Sequence, residues 1–149
     1  MQILSKIVEN VRYFGLYGFI FWSLNYLVWI AYKKILGIRY CETKVNNYRM
    51  LLDLEDPGIS KELMLQGSRE EEHVYIVRHE LKEGMVVLDC GANIGYYSLM
   101  MAKLVGNNGR IYAIEPSAPN YHLLNVNLRL NGLENIVQGH GEIILRGEI

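Results

Sequence analysis

Met85-Val86-Val87-Leu88-Asp89-Cys90-Gly91-Ala92-Asn93-Ile94-Gly95 is the stretch on which the reading of this chain turns. Four unbroken apolar residues predict a strand buried on both faces of a parallel sheet. Behind the turn, Tyr97, Leu99, Met100 and Ala102-Lys103-Leu104 have helical character up to Gly106. A strand, a glycine turn and a helix make half of a nucleotide-binding βαβ unit. Glycines at such a turn let backbone approach a ligand, and the helix amino terminus offers N–H groups to it.

The next residues complete the unit. Asn107-Asn108-Gly109 predicts a turn, and Arg110 to Ile114 a second short strand ending in Glu115-Pro116. An acid at that strand end, on the order of 20 residues past the glycine loop, is placed to accept hydrogen bonds from two ribose hydroxyls. Pro119, Asn120 and Tyr121 to Leu130 predict a third helix, stopped at Asn131-Gly132. Counted from Gly91, a dinucleotide fingerprint would need glycines where Asn93 and Tyr96 stand, and no Gly-Lys-Ser/Thr follows the turn, so NAD, FAD and P-loop readings fall away. A ligand with a ribose but no pyrophosphate remains, held beside Asp89; S-adenosylmethionine (SAM) fits.

The run VVLDCGANIGYYSL, then IYAIEP, then NYHLLNVNLRLNGL resembles the FkbM-type family of class I SAM-dependent methyltransferases, over about residues 45 to 136. Asp89, Gly91, Ala92, Asn93 and Gly95 are similar to the family's first motif, Glu115-Pro116 to its second, and Asn127 and Asn131 to its helix-end asparagines. The resemblance implies that Asp89 and the Gly91 to Gly95 loop hold the methionine part of the cofactor, Glu115 the ribose hydroxyls, and that Pro116 lies near the adenine. It also implies methyl transfer to an oxygen nucleophile on a sugar, glycan or natural product. The family's later acidic motif has no counterpart in the tail Val137 to Ile149. No catalytic base is assigned: His122 and His140 qualify by residue type only, and an exposed helix or tail histidine is the milder reading.

Upstream, Thr43 to Asp53 predicts a hairpin turning at Asn46-Asn47, and Asp56-Pro57-Gly58 a turn. Ser60 precedes a short helix through Leu63 and Leu65 that Gly67 stops. Ser68 has the chemistry to cap a helix from about Glu70 to Leu81, whose inner face would be Val74, Ile76-Val77 and Leu81. The acids Glu70 to Glu72 suit that helix start rather than a metal. Residues 13 to 32 carry no charge and nine of the chain's sixteen aromatics. They read either as a membrane-surface or inserted anchor or as an apolar helix pair capping the next domain.

Charge is uneven: residues 1–40 hold five Lys or Arg against one acid, whereas residues 41–84 hold six against ten, in a chain of net charge -1. With 21% charged residues and no continuous charge of the kind a nucleic-acid tail carries, a general polyanion binder is disfavoured, so no nucleic-acid partner is expected. Cys41 and Cys90 have neither metal-ligand spacing nor disulfide density, which points to the cytoplasm and no metal; Cys90 reads as a buried small side chain.

The expected fold is α/β: a Rossmann-like class I methyltransferase three-layer sandwich, truncated after about its third strand. The expected segments are an aromatic head (1–40), a hairpin and helix (41–84) and a partial SAM-binding domain (85–149). The alternatives are a cofactor-binding remnant without catalysis and a small membrane-associated interaction protein.

Overall fold

In the computed structural model residues 2–140 are described, so residues 141–149 of the tail lie outside them, as does the His140 side chain. The chain groups into two compact units, Met1–Cys41 with Leu52–Arg69 and Glu42–Leu51 with Glu70–Ile149.

The first unit is built on α1 (Gln2–Ile30), which bends at Gly15, where φ is 69° and ψ 170°. The helix runs on into a π-helical turn, Ala31–Ile35. Trp22, Tyr26 and Trp29, spaced four and three residues apart, stack in a row with ring centroids 5.3 and 5.8 Å apart. Lys33 and Lys61 place their ammonium groups 5.2 and 5.0 Å from the Trp29 ring, a cation–π arrangement on each side chain. Helix α2 (Ile59–Gln66) packs against α1, and Asn25 Nδ2 donates to the Leu65 carbonyl at 3.2 Å. Its first turn is held by Asp56, whose two carboxylate oxygens accept the N–H groups of Gly58 and Ser60, both at 2.9 Å. Ser60 is thus inside the helix rather than before it. No described helix is long and apolar enough to cross a membrane.

Strands β1 (Tyr40–Val45) and β2 (Tyr48–Asp53) form the hairpin, turning through Asn46 at φ 53° as the Asn-Asn pair predicts. In the second unit α3 (Glu71–Glu80) follows Glu70, itself left-handed at φ 49°. The chain therefore enters α3 two residues past Ser68, which is not the cap. Only Val74 of α3 is buried, and Ile76 is exposed, because positions 74 and 77 share a face that 76 does not.

The sheet that carries the site has the order β3-β4-β5, all parallel: β3 (Val86–Cys90), β4 (Arg110–Ile114) and β5 (Val137–His140). Helices α4 (Tyr96–Val105) and α5 (Ala118–Asn131) connect the strands and pack on one face. Ile111, Ala113 and Val137 point into that face and are buried. This is the class I methyltransferase architecture expected from the sequence, with two of its three layers among the described residues. The other face explains one correction: Val86 is 70% and Leu88 60% exposed, so β3 is covered on one face only. An apolar run states what a strand can be buried against, and among the described residues no helix lies on that side. Cys90 shares the open face and is exposed, not buried.

Candidate cofactor site

Two acids, Asp89 and Glu115, stand at the carboxyl ends of β3 and β4. Asp89 is the penultimate residue of β3, and its Oδ2 accepts the Ser98 hydroxyl of α4 at 2.6 Å. Burial pushes the Asp89 carboxyl above its ordinary range; the Ser98 hydrogen bond opposes this, and the nearby Glu115 charge adds to it. Glu115 follows β4 and is only 5% exposed. Its Oε2 accepts the Asn93 N–H and its Oε1 the Ser117 N–H, both at 2.8 Å. Thus Glu115 staples the middle of the glycine loop to the β4 end.

The loop itself is tied down from below. The N–H groups of Gly91 and Ala92 both donate to the Ile114 carbonyl at 2.9 Å, and that of Gly95 to Ala92. These amides, with that of Asn93, are bonded within the protein. What the loop offers instead is space and an acceptor. Gly91 has φ 81°, and a Cβ built there would meet nothing within 4 Å. Asn93, left-handed at φ 51°, buries its Oδ1 with no hydrogen-bond partner. A buried acceptor without a donor costs free energy until something donates to it. Open space at Gly91, that acceptor and two carboxylates fit a ligand carrying a cation and hydroxyl donors, as SAM does.

Asp89, Gly91, Asn93 and Glu115 therefore come together. Ala92 and Gly95 do not face the same space: Ala92 is buried, and a Cβ on Gly95 would come within 2.8 Å of Leu124 Cδ1, so Gly95 permits α4 to approach α5. Pro116 is exposed beside Glu115, and His122 is exposed on α5. Ser98 was not singled out in the sequence, although it lies nine residues after Asp89 in the first turn of a helix starting at the loop.

Residues 43–142 match the TRM5/TYW2 methyltransferase domain. The chain belongs to that family. Among curated relatives, the tRNA(Phe) (4-demethylwyosine(37)-C(7)) aminocarboxypropyltransferase of Methanocaldococcus jannaschii is 33% identical over 105 residues, 70% of this chain and 39% of that protein. The protein-L-isoaspartate O-methyltransferase of Methanosarcina mazei is 40% identical over 57 residues, 38% of this chain and 24% of the relative. Of the solved structures, M. jannaschii TYW2 in complex with AdoMet has a TM-score of 0.54 at 29% identity, over 68% of this chain and 42% of that one. M. jannaschii Trm5 in complex with adenosine has a TM-score of 0.53 at 26% identity, over 70% and 30%. The chain spans less than half the length of each of these relatives.

Membership in the TRM5/TYW2 methyltransferase domain family supports the class I fold and SAM as the cofactor, and it replaces the FkbM assignment. The partner expectations are corrected as well. A small-molecule or glycan acceptor and the exclusion of nucleic acid conflict with relatives named for tRNA modification. A membrane surface at residues 13–32 gains no support. Composition misled because it counts charge without placing it: a basic head and an acidic middle sit in one chain of net charge -1.

Proposed function

We propose that this chain is the cofactor-binding part of a cytoplasmic SAM-dependent methyltransferase acting on a tRNA base. The observation that carries the reading is Glu115 bonded to the glycine loop at Asn93, with Asp89 near it at the end of the preceding strand, within a TRM5/TYW2 domain. When bound, SAM supplies an activated carbon next to a sulfonium. The residues here bind and orient. The Asp89 carboxylate receives the ammonium of the methionine part, which relieves the cost of holding that carboxyl beside Glu115 in a partly dry site. Glu115 accepts one N–H on each oxygen and keeps the remaining lone pairs for ribose hydroxyls. Gly91 keeps the approach open, Asn93 Oδ1 accepts a ligand donor, and Pro116 borders the adenine. Ala92 and Gly95 act through the shape of the loop. Positioning is the main contribution such a site makes to an in-line displacement.

A second reading is favoured by the aminocarboxypropyltransferase relative: transfer of the aminocarboxypropyl group rather than the methyl group. The two leave different products, S-adenosylhomocysteine (SAH) after methyl transfer and 5′-methylthioadenosine after aminocarboxypropyl transfer. Calorimetric titration with SAH, followed by chromatography of reactions containing SAM and unmodified tRNA, tests both. SAH binding with SAH as product supports methyl transfer. Methylthioadenosine as product moves the assignment to the second reading, and a folded chain that binds neither SAM nor SAH overturns both.

A further inference from the structure

The glycine loop is held from a second side by a residue far from it in sequence. Asn127, in the penultimate turn of α5, is fully buried. Its Nδ2 donates to the Ile94 carbonyl, inside the loop, at 2.8 Å. The same nitrogen reaches the Leu51 carbonyl at 3.4 Å, and Oδ1 accepts the Leu51 N–H at 2.6 Å. One amide thus grips the β2 backbone as a neighbouring strand would and passes the grip on to the loop. One turn later, Asn131 repeats half of the device. Its Oδ1 accepts the Arg49 N–H at 3.0 Å, and its Nδ2 donates to the Arg49 carbonyl and to the Asn127 carbonyl, both at 2.7 Å. The spacing explains the repeat: positions four apart on a helix lie on one face, and positions two apart on a strand lie on one side of its backbone. Asn131 makes no bond to the loop among those described. Hence Asn127 joins hairpin and loop, while Asn131 holds the hairpin alone.

We infer that Asn127 is a positioning residue for the cofactor site. It fixes the Ile94 carbonyl so that Asn93, one residue earlier, stays in its left-handed conformation with Oδ1 turned inward and its N–H on Glu115. It also ties the Leu51 backbone to the same loop, whereas Arg49 is held by Asn131. The role rests on the reading that this loop holds SAM, and it gives one of the two helix-end asparagines, Asn127, a contact to that loop.

The test compares Asn127→Asp and Asn131→Ala with the unchanged chain. Asn127→Asp keeps an acceptor for the Leu51 N–H but loses the donated bond to Ile94. Asn127→Ser, smaller and uncharged, replaces it if the buried charge prevents folding. Amide hydrogen exchange without ligand is followed at Asn93, Gly95, Leu51 and Arg49, and SAH affinity is measured by calorimetry. The expected result for the Asn127 variant is faster exchange at Asn93 and Gly95 with SAH binding weakened about tenfold, the scale of one lost hydrogen bond. Asn131→Ala should speed exchange at Arg49 and leave SAH affinity within about twofold. A folded Asn127 variant with unchanged loop exchange overturns the inference. Equal loss of SAH affinity in both variants does the same, since it would make the effect one of hairpin stability. If the unchanged chain binds no SAH, the cofactor reading fails, and the exchange comparison still decides whether Asn127 positions the loop.

Discussion

Replacing Glu115 by glutamine changes few atoms and tests the site at its centre. In the unchanged chain both carboxylate oxygens are engaged, Oε2 by the Asn93 N–H and Oε1 by the Ser117 N–H, each at 2.8 Å in a side chain 5% exposed. A glutamine has one carbonyl oxygen, so it can satisfy one of these donors; its NH2 group then faces the other. The surviving bond loses its charge assistance and the other donor is left buried against a donor, for a total of roughly 2–4 kcal/mol. Set against the roughly 5–15 kcal/mol that stabilises a domain, this is large without being unfolding. Trp22 and Trp29 both belong to the first unit, so tryptophan fluorescence would watch the wrong part of the chain. Hydrogen exchange at Asn93 and Ser117 under native conditions reads the right one. Glu115→Gln should lose protection at one or both amides, and on the proposed reading of Glu115 as the ribose acceptor SAH affinity should fall at least about tenfold, since that acceptor loses its charge. Unchanged protection at both amides, with stability within about 0.5 kcal/mol of the parent, would refute the argument that Glu115 staples the loop.

Three other outcomes follow from the same geometry. Asp89 is held with its carboxyl above the ordinary range, so the folded chain binds that proton more tightly than the unfolded one; its contribution to stability is favourable at low pH and is lost as pH rises through the raised folded value. Asp89→Asn should therefore be more stable than the parent at neutral pH, with the difference gone below about pH 4 in pH-dependent denaturation, while SAH binding is lost; a less stable variant at neutral pH would contradict it. Gly91→Ala places a Cβ in open space but at φ 81°, so it should cost about 1–3 kcal/mol of backbone strain in a denaturant titration and reduce SAH binding by more than that strain explains; an alanine variant that binds normally would show that the ligand does not approach there. Val86→Thr, on the exposed face of β3, should change stability by less than about 0.5 kcal/mol, whereas Ile111→Ala, fully buried on the opposite face, should cost about 2–5 kcal/mol; a comparable loss at Val86 would mean that its face is covered.

Much of this chain is legible one element at a time, because local chemistry decides local structure. The apolar run before Asp89, the glycines at 91 and 95, the second acid at Glu115 and the Asn131-Gly132 stop fix a strand, a turn, a helix and the position of two carboxylates. The hairpin follows from Asn46-Asn47, since asparagine tolerates the left-handed turn that the structure shows there. What the sequence pattern cannot decide is which neighbour each group meets. Val86 and Leu88 have the composition of a doubly buried strand, yet burial depends on what lies across the sheet, and one face is open. The glycine turn reads as an approach for a ligand, but only packing shows that its amides at Gly91, Ala92 and Asn93 bond to Ile114 and Glu115, more than twenty residues away. Family branch and partner also lay beyond the motifs, because a strand, a glycine turn and an acid at the next strand end carry nothing about the group that receives the transfer. Sequence alone therefore determined the βαβ chemistry and its two acids. Tertiary structure decided that Ser98 and Asn127 support them, since hydrogen bonds between residues nine and thirty-three positions apart exist only once helices, loop and hairpin are packed together.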